Sequence, residues 1–235
     1  MLLRPVEAEF APRAQVFPGG RIDEADADPG WSAVIPGADA ALPGLDQEPG
    51  QPPPRAFFVG AVREVFEEAA VLLGVDAADF PGEAWAEDAR RRVHGDDEGM
   101  LPLVRDAGLV LRPEIAFFAR WVTPLGMPRR YDTRFFATRM PEAQEAVAAP
   151  GEIQSLEWIT PAAALARADT RDAYTLPPTR AVLEKLSRYT GVAEALRQLT
   201  VDGDVTPILP RIVAMPTGDG AEGIQVLMPG DPGYE

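Results

Sequence analysis

The sequence predicts an α/β domain. Three observations point there: apolar residues spaced three and four apart over 55–73, β-type runs at 115–122 and 134–138, and a further helical stretch over 178–199. At 235 residues, 46% hydrophobic and 25% charged, the chain has the composition of one globular domain, or of one domain with insertions.

The elements follow in order. Val16-Phe17-Pro18-Gly19-Gly20 reads as a strand entering a tight glycine turn. Residues 26–54 are rich in proline, glycine and alanine and read as a long loop, a length usually associated with function or mobility. From Arg55 to Leu73 the apolar positions Phe58, Val62, Val65, Phe66, Ala69, Leu72 and Leu73 form one helical face, with Pro54 ahead of it and Gly74 as its stop. Residues 83–107 read as two short helices broken at His94-Gly95-Asp96-Asp97. Ile115–Val122 and Arg134–Thr138 are strands joined by a loop carrying Arg129, Arg130 and Tyr131. Leu156–Ile159 is a third strand, Thr160-Pro161 caps a helix through about Leu165, and 178–199 is one amphipathic helical stretch. The tail after Val201 holds two β-like runs, Ile208–Met215 and Ile224–Met228, which suit a hairpin.

Composition removes many chemistries. With no cysteine, disulfides, thiolate metal sites and cysteine nucleophiles are absent, and the single His94 excludes two-histidine metal motifs. No serine lies in G-x-S-x-G, and neither a P-loop nor G-x-G-x-x-G occurs. A formal charge of −15 repels a phosphate backbone, so no nucleic-acid partner is expected. No apolar run reaches membrane-spanning length and no signal peptide is visible, so no membrane partner is expected and the cytoplasm is the default location.

Acid–base work therefore falls mainly to carboxylates. Arg63-Glu64-Val65-Phe66-Glu67-Glu68 places Glu64, Glu67 and Glu68 at i, i+3 and i+4, on one helix face. Like charges so spaced repel, and a cation among them relieves the repulsion. With only oxygen donors at hand, Mg²⁺ or Mn²⁺ fits better than Zn²⁺, and Mg²⁺ completes its shell with water and phosphates, which implies phosphoryl chemistry. A merely solvated acidic face is the plain alternative.

Upstream, Gly19-Gly20 is followed after five residues by Asp26. With that half in place the chain resembles a Nudix hydrolase, whose box reads G-x5-E-x7-R-E-U-x-E-E-x-G-U with U apolar. Gly20 and Asp26 match the first half; Arg63, Glu64, Val65, Glu67, Glu68 and Val71 match the second, across an insertion of about 29 residues. Asp26 replaces a glutamate and Ala70 the usual glycine. The split box looks like the branch that includes peroxisomal acyl-CoA diphosphatases and their bacterial relatives. Trp121-Val122-Thr123-Pro124, Arg130-Tyr131-Asp132-Thr133, Phe135-Phe136, Glu157-Trp158 and Leu176-Pro177-Pro178 extend that likeness over about residues 2–200.

The resemblance implies an α/β/α sandwich around a mixed sheet, spanning 1–200, with a loop insertion at 27–55, a helical insertion at 76–107, and a tail at 201–235. It also implies that about 15–20 residues of an N-terminal element are missing: either the natural chain starts further upstream, which is the expectation, or the tail or another subunit fills the gap, a homodimer being one such solution. The reaction it implies is metal-dependent hydrolysis of a nucleoside diphosphate derivative, with CoA or acyl-CoA as the first substrate candidate. ADP-ribose, NADH or a dinucleoside polyphosphate is the alternative, and a catalytically weak binding module is the other. Glu67 and Glu68 would be metal ligands, Glu64 a ligand or orienter, Gly20 part of the metal site, and Arg63 a salt-bridging support. The general base would be a box glutamate or Glu152. Arg130 and Arg134 could pair with phosphates, and Trp121 and Tyr131 could stack on a base, although aromatics near strands commonly fill cores.

Overall fold

The computed structural model describes residues 1–8, 11–37, 45, 48–94, 99–151, 153–168, 174–202, 204–216 and 222–234. In chain order they form β1 (Leu2–Leu3), β2 (Ala14–Val16), a 3-10 turn (Glu24–Ala27), α1 (Trp31–Val34), α2 (Pro54–Ala69), α3 (Glu83–His94) and α4 (Met100–Asp106). Then come β3 (Ile115–Val122), β4 (Asp132–Thr138), β5 (Ser155–Leu156), α5 (Pro161–Ala168), β6 (Tyr174–Thr175), α6 (Pro177–Leu186), α7 (Val192–Asp202), β7 (Arg211–Pro216) and β8 (Glu222–Leu227).

A small mixed sheet has the order β5-β1-β2-β6, antiparallel at β5-β1 and β1-β2 and parallel at β2-β6. The long hairpin β3–β4 divides two helical layers. Phe117 and its cross-strand partner Phe136 pack toward Phe57 of α2, whereas Phe118, Ala119 and Trp121 pack on Val182 of α6 and Leu196 and Leu199 of α7. The arrangement is an α/β/α sandwich with a mixed sheet, as expected. A β-bulge between Phe117 and Ala119 inserts one residue, so Arg120 and Arg134 face each other on the side shared by Phe117 and Phe136. Beyond the hairpin, Val122 N–H donates to Ile208 O at 2.9 Å and Ile208 N–H to Arg120 O at 2.9 Å, which pins the tail along β3.

Several elements differ from expectation, most of them for a reason visible in the structure. The box helix α2 ends at Ala69 rather than Leu73, because Ala70 turns left-handed at φ 57° and ψ 22°. Beyond it Leu72 remains fully buried outside the helix, its N–H and C=O both held by the Gln144 side-chain amide at 2.8 and 3.0 Å. The insertion is not simply loop: the indole of Trp31 is 2% exposed and donates to Ala25 O, and Ile35 is buried beside it. The expected strand 156–159 shrinks to Ser155–Leu156, paired with Leu3 and Leu2, and beyond it the chain turns out so that Trp158 is 71% exposed. The stretch 178–199 divides into α6 and α7. The two tail runs pair antiparallel, Arg211 opposite Leu227; residues 217–220 between them lie outside the described residues. Leu2–Leu3 is paired on both sides, by β2 and β5. Among the described residues, no helix is long and apolar enough to cross a membrane.

Candidate metal and diphosphate site

The site is built where α2 passes under the Gly19-Gly20 turn. Pro54 opens α2 and suits its first turn, where no intrahelical partner for an N–H exists. Val59, Val62 and Phe66 bury one face among α1, α3 and α4, leaving the carboxylate face toward the turn. At its far end the last carbonyls are satisfied from outside the helix, Ala69 O by Val147 N–H and Glu68 O by Ala149 N–H.

Arg63 is the hub. Its guanidinium is buried and makes a bidentate pair with Asp26, Nε to Oδ1 and Nη2 to Oδ2, each at 2.9 Å. Nη1 donates to Glu64 Oε1 at 2.9 Å and to Glu67 Oε2 at 3.0 Å, and Nη2 to Arg21 O at 2.7 Å. The Asp23 carboxylate lies 3.5 Å away. Glu68 turns elsewhere: Gly19 N–H donates to its Oε2 at 2.8 Å. The four residues Glu64, Glu67, Glu68 and Arg63 are thus brought together with the glycine turn.

Two glycines allow this approach. A Cβ on Gly20 would overlap the Glu64 carboxylate, with Cδ 2.6 Å away, so a larger residue there would push that side chain off the position in which Arg63 holds it. On α2, a Cβ on Gly60 would sit 2.7 Å from Ile22 Cδ1 and 3.1 Å from Asp26 Oδ2, so the 3-10 turn docks on a bare stretch of helix. Asp23 and Asp26 cap that turn reciprocally, the Asp23 N–H donating to Asp26 Oδ2 at 2.9 Å. Asp26, at the position where the box usually has glutamate, therefore orients Arg63 and is 1% exposed.

Electrostatics follow from burial. Burial raises the Glu64 carboxyl to about 7, against the pull of Arg63 and with help from Glu67. Burial also raises Glu67, again opposed by Arg63. Burial disfavours the Arg63 cation, but the bonds to Asp26 and the charges of Glu64 and Glu67 outweigh it and hold the guanidinium above its ordinary value. As the side chains stand, no group of three or more acidic or histidine residues among those described is gathered to hold a metal, because Glu64 and Glu67 are turned to Arg63 and Glu68 to Gly19. The donor set nonetheless fits a hard divalent cation: oxygen ligands only, partly buried, with excess negative charge beside a glycine that leaves room.

The remaining expected residues lie apart from this hub. Glu152 is outside the described residues, although Ala149 and Ile153 on either side of it are placed, Ile153 N–H donating to Ala149 O. Trp121 is 4% exposed in the layer between β3 and α6–α7, so its ring fills core rather than offering a stacking face. Arg130 and Tyr131 are exposed at the tip of the β3–β4 hairpin, where Arg130 Nε donates to Thr123 O and Tyr131 N–H to Thr123 Oγ1. Arg134 sits beneath them with its guanidinium carbon 3.7 Å from the centre of the Phe57 ring on α2. Sequence reasoning missed Asp23, Gly60 and the group Glu48, Arg120 and Asp132. The Asp23/Asp26 spacing of a capping box was the available signal; the others depend on chain segments that meet only in the fold.

With this geometry in view, the similarities to known proteins have a physical basis. A model of the NUDT19 Nudix domain matches residues 45–186. The acyl-coenzyme A diphosphatase NUDT19 of Gallus gallus is 29% identical over an alignment covering 99% of this chain and 71% of that protein. The Homo sapiens protein of the same name is 27% identical, covering 100% of this chain and 71% of its own length. The crystal structure of a NUDIX hydrolase from Alicyclobacillus acidocaldarius superposes with a TM-score of 0.68 at 25% identity, covering 83% of this chain and 86% of that one. The carboxylate helix under a glycine turn is accordingly the box of a Nudix hydrolase, and the chain belongs to the NUDT19 Nudix domain family.

Proposed function

We propose that this chain is a divalent-metal-dependent diphosphatase that cleaves CoA or an acyl-CoA to 4′-phosphopantetheine and adenosine 3′,5′-bisphosphate. The observation that carries the reading is the convergence of Glu64, Glu67 and Glu68 on the Gly19-Gly20 turn around Arg63. The naming of relatives as acyl-coenzyme A diphosphatases supports the substrate class.

Glu67, Glu68 and Glu64 would hold Mg²⁺ or Mn²⁺, which supplies neutralisation of the diphosphate charge and a lowered pKa for water. Arg63 keeps the carboxylates from repelling one another and fixes Glu64 and Glu67 in orientation. Asp26 and Arg21 O fix Arg63 in turn. Gly19 N–H orients Glu68. Water adds to one phosphorus of the linkage as its bond to the bridging oxygen breaks, and the water proton passes to a carboxylate. Glu64, oriented by Arg63 beside the glycine turn, is the described carboxylate placed to accept it when it is not itself a ligand.

The test is incubation of the protein with CoA, an acyl-CoA, ADP-ribose, NADH and a dinucleoside polyphosphate, with Mg²⁺ or Mn²⁺ and with a chelator, products separated by chromatography. The expected result is metal-dependent release of adenosine 3′,5′-bisphosphate from CoA compounds. Preferential cleavage of ADP-ribose or NADH would overturn the substrate, and turnover unaffected by chelator would overturn the metal.

A further inference from the structure

Two arginines face each other across the β3–β4 hairpin, and their surroundings are unequal. Arg120 and Arg134 are cross-strand partners, an arrangement of like charges that costs stability unless anions lie between them. Arg120 has two carboxylates: Asp132 accepts from Nε at 2.8 Å and from Nη2 at 2.7 Å, and Glu48 accepts from Nη1 and, at 3.1 Å, from Nη2. Arg134 has much less. Its side chain is 5% exposed and lies over the Phe57 ring; Nη1 reaches Asp132 O at 3.4 Å and Oδ1 at 3.5 Å, and the buried Nε has no hydrogen-bond partner. A buried cation so poorly paired is one whose anion is incompletely supplied by the protein.

The anion that does approach it comes from the box insertion. The Glu48 side chain is 44% exposed, and its carboxylate is near enough for Arg134 to act on it electrostatically. Ion pairs of that exposure are weak and exchangeable. Phe57, the floor of the seat, is seven residues before Glu64 on α2, which places it on the same helix stripe about 10 Å along the axis.

We infer that Arg134, with Arg120, is a seat for a phosphate monoester of the substrate distinct from the linkage being cut, and that Glu48 occupies it until that phosphate displaces it. This rests on the diphosphatase reading above and narrows it to nucleoside diphosphate derivatives bearing an additional phosphate, as CoA does and ADP-ribose and NADH do not. Arg120 keeps Asp132 when Glu48 leaves, so only Arg134 gains a full partner from the ligand.

The test measures binding of adenosine 3′,5′-bisphosphate, AMP and inorganic phosphate by calorimetry with chelator present, on the full chain and on the R134Q and E48Q variants, alongside CoA turnover with Mg²⁺. The bisphosphate should bind the unaltered protein about tenfold tighter than AMP, R134Q should erase that preference, and E48Q should tighten bisphosphate binding about threefold or more by removing a competing carboxylate. A preference retained by R134Q, or bisphosphate binding unchanged or weakened in E48Q, would overturn the seat; inorganic phosphate binding as tightly as the bisphosphate would overturn its assignment to substrate. Should R134Q fail to fold, E48Q decides alone. If CoA is not cleaved while the preference and both variant effects hold, the diphosphatase reading fails and the seat stands; if CoA is cleaved without any preference, the reverse holds.

Discussion

Arg63 on α2 and Arg134 packed against that helix both have buried guanidinium groups, and they could hardly be treated more differently by their neighbours. Arg63 has Asp26, Glu64 and Glu67 in hydrogen-bond reach and a backbone carbonyl besides, whereas Arg134 rests on an aromatic ring with an unbonded Nε. A cation fully matched by the fold organises other side chains. One left short of partners can take one arriving from outside, so the contrast sets a scaffold charge against the recognition charge proposed for Arg134.

The strongest way to break this contrast is to replace each arginine by methionine. Arg63→Met strands the buried Asp26 and the partly buried Glu64 and Glu67, and should cost about 3–5 kcal/mol, read from urea unfolding. Arg134→Met leaves Asp132 still paired with Arg120 and should change stability by less than about 1 kcal/mol, in either direction. Equal losses for the two would erase the distinction.

Next in size is the effect on turnover. Glu68→Gln keeps an acceptor for Gly19 N–H but removes a charge from the donor set, so kcat should fall at least about a hundredfold while the melting temperature stays within a few degrees. A variant that loses folding instead would show Glu68 to be chiefly structural.

The pH dependence sharpens the Arg63 side further. Because Glu64 is raised to about 7 from an ordinary carboxylate value, the folded state without metal binds its proton more tightly than the unfolded state does. That contribution to stability is complete below the unfolded value and is lost as pH rises toward and through about 7. In chelator, Glu64→Gln should therefore gain on the unaltered protein in melting temperature between pH 5 and pH 8, and Mn²⁺ affinity of the unaltered protein should rise over the same interval. A pH-independent difference in melting temperature would contradict the burial-driven shift.

The smallest expected effect concerns the end of α2. Ala70 adopts the left-handed conformation that glycine favours, so Ala70→Gly should stabilise by about 0.5–1 kcal/mol, seen as a rise of about 1–4 °C in the thermal midpoint. This also explains why the alanine is tolerated at the usual glycine position of the box: the conformation is kept and only a modest strain is accepted.

Much of this was legible in the residues themselves. The helical spacing from Phe58 to Ala69 and the carboxylates at i, i+3 and i+4 are local patterns, and local patterns survive folding. The box split by its insertion was legible as two matching halves, and Arg63 joins them physically through Asp26. What could not be read were features set by distant partners. The pairing of Ser155–Leu156 depends on β1 from the far end of the chain, the placement of Leu72 depends on the Gln144 amide, and the environment of Trp121 depends on α6 and α7 closing over it. The pairing of Glu48 with Arg120 spans 72 residues and has no local signature at all.

The extra residue at Phe118 has a consequence for how this fold tolerates change. Strand side chains alternate, so if Phe118 were taken into the ladder instead of bulged out, every side chain from Ala119 to Val122 would change faces. Arg120 would be driven into the apolar layer beneath α6 and α7 while the indole of Trp121 swung toward the box helix. Insertions in the surface loops of such a chain are tolerable, but closing this bulge would part Arg120 from Arg134 and bury a charge at once.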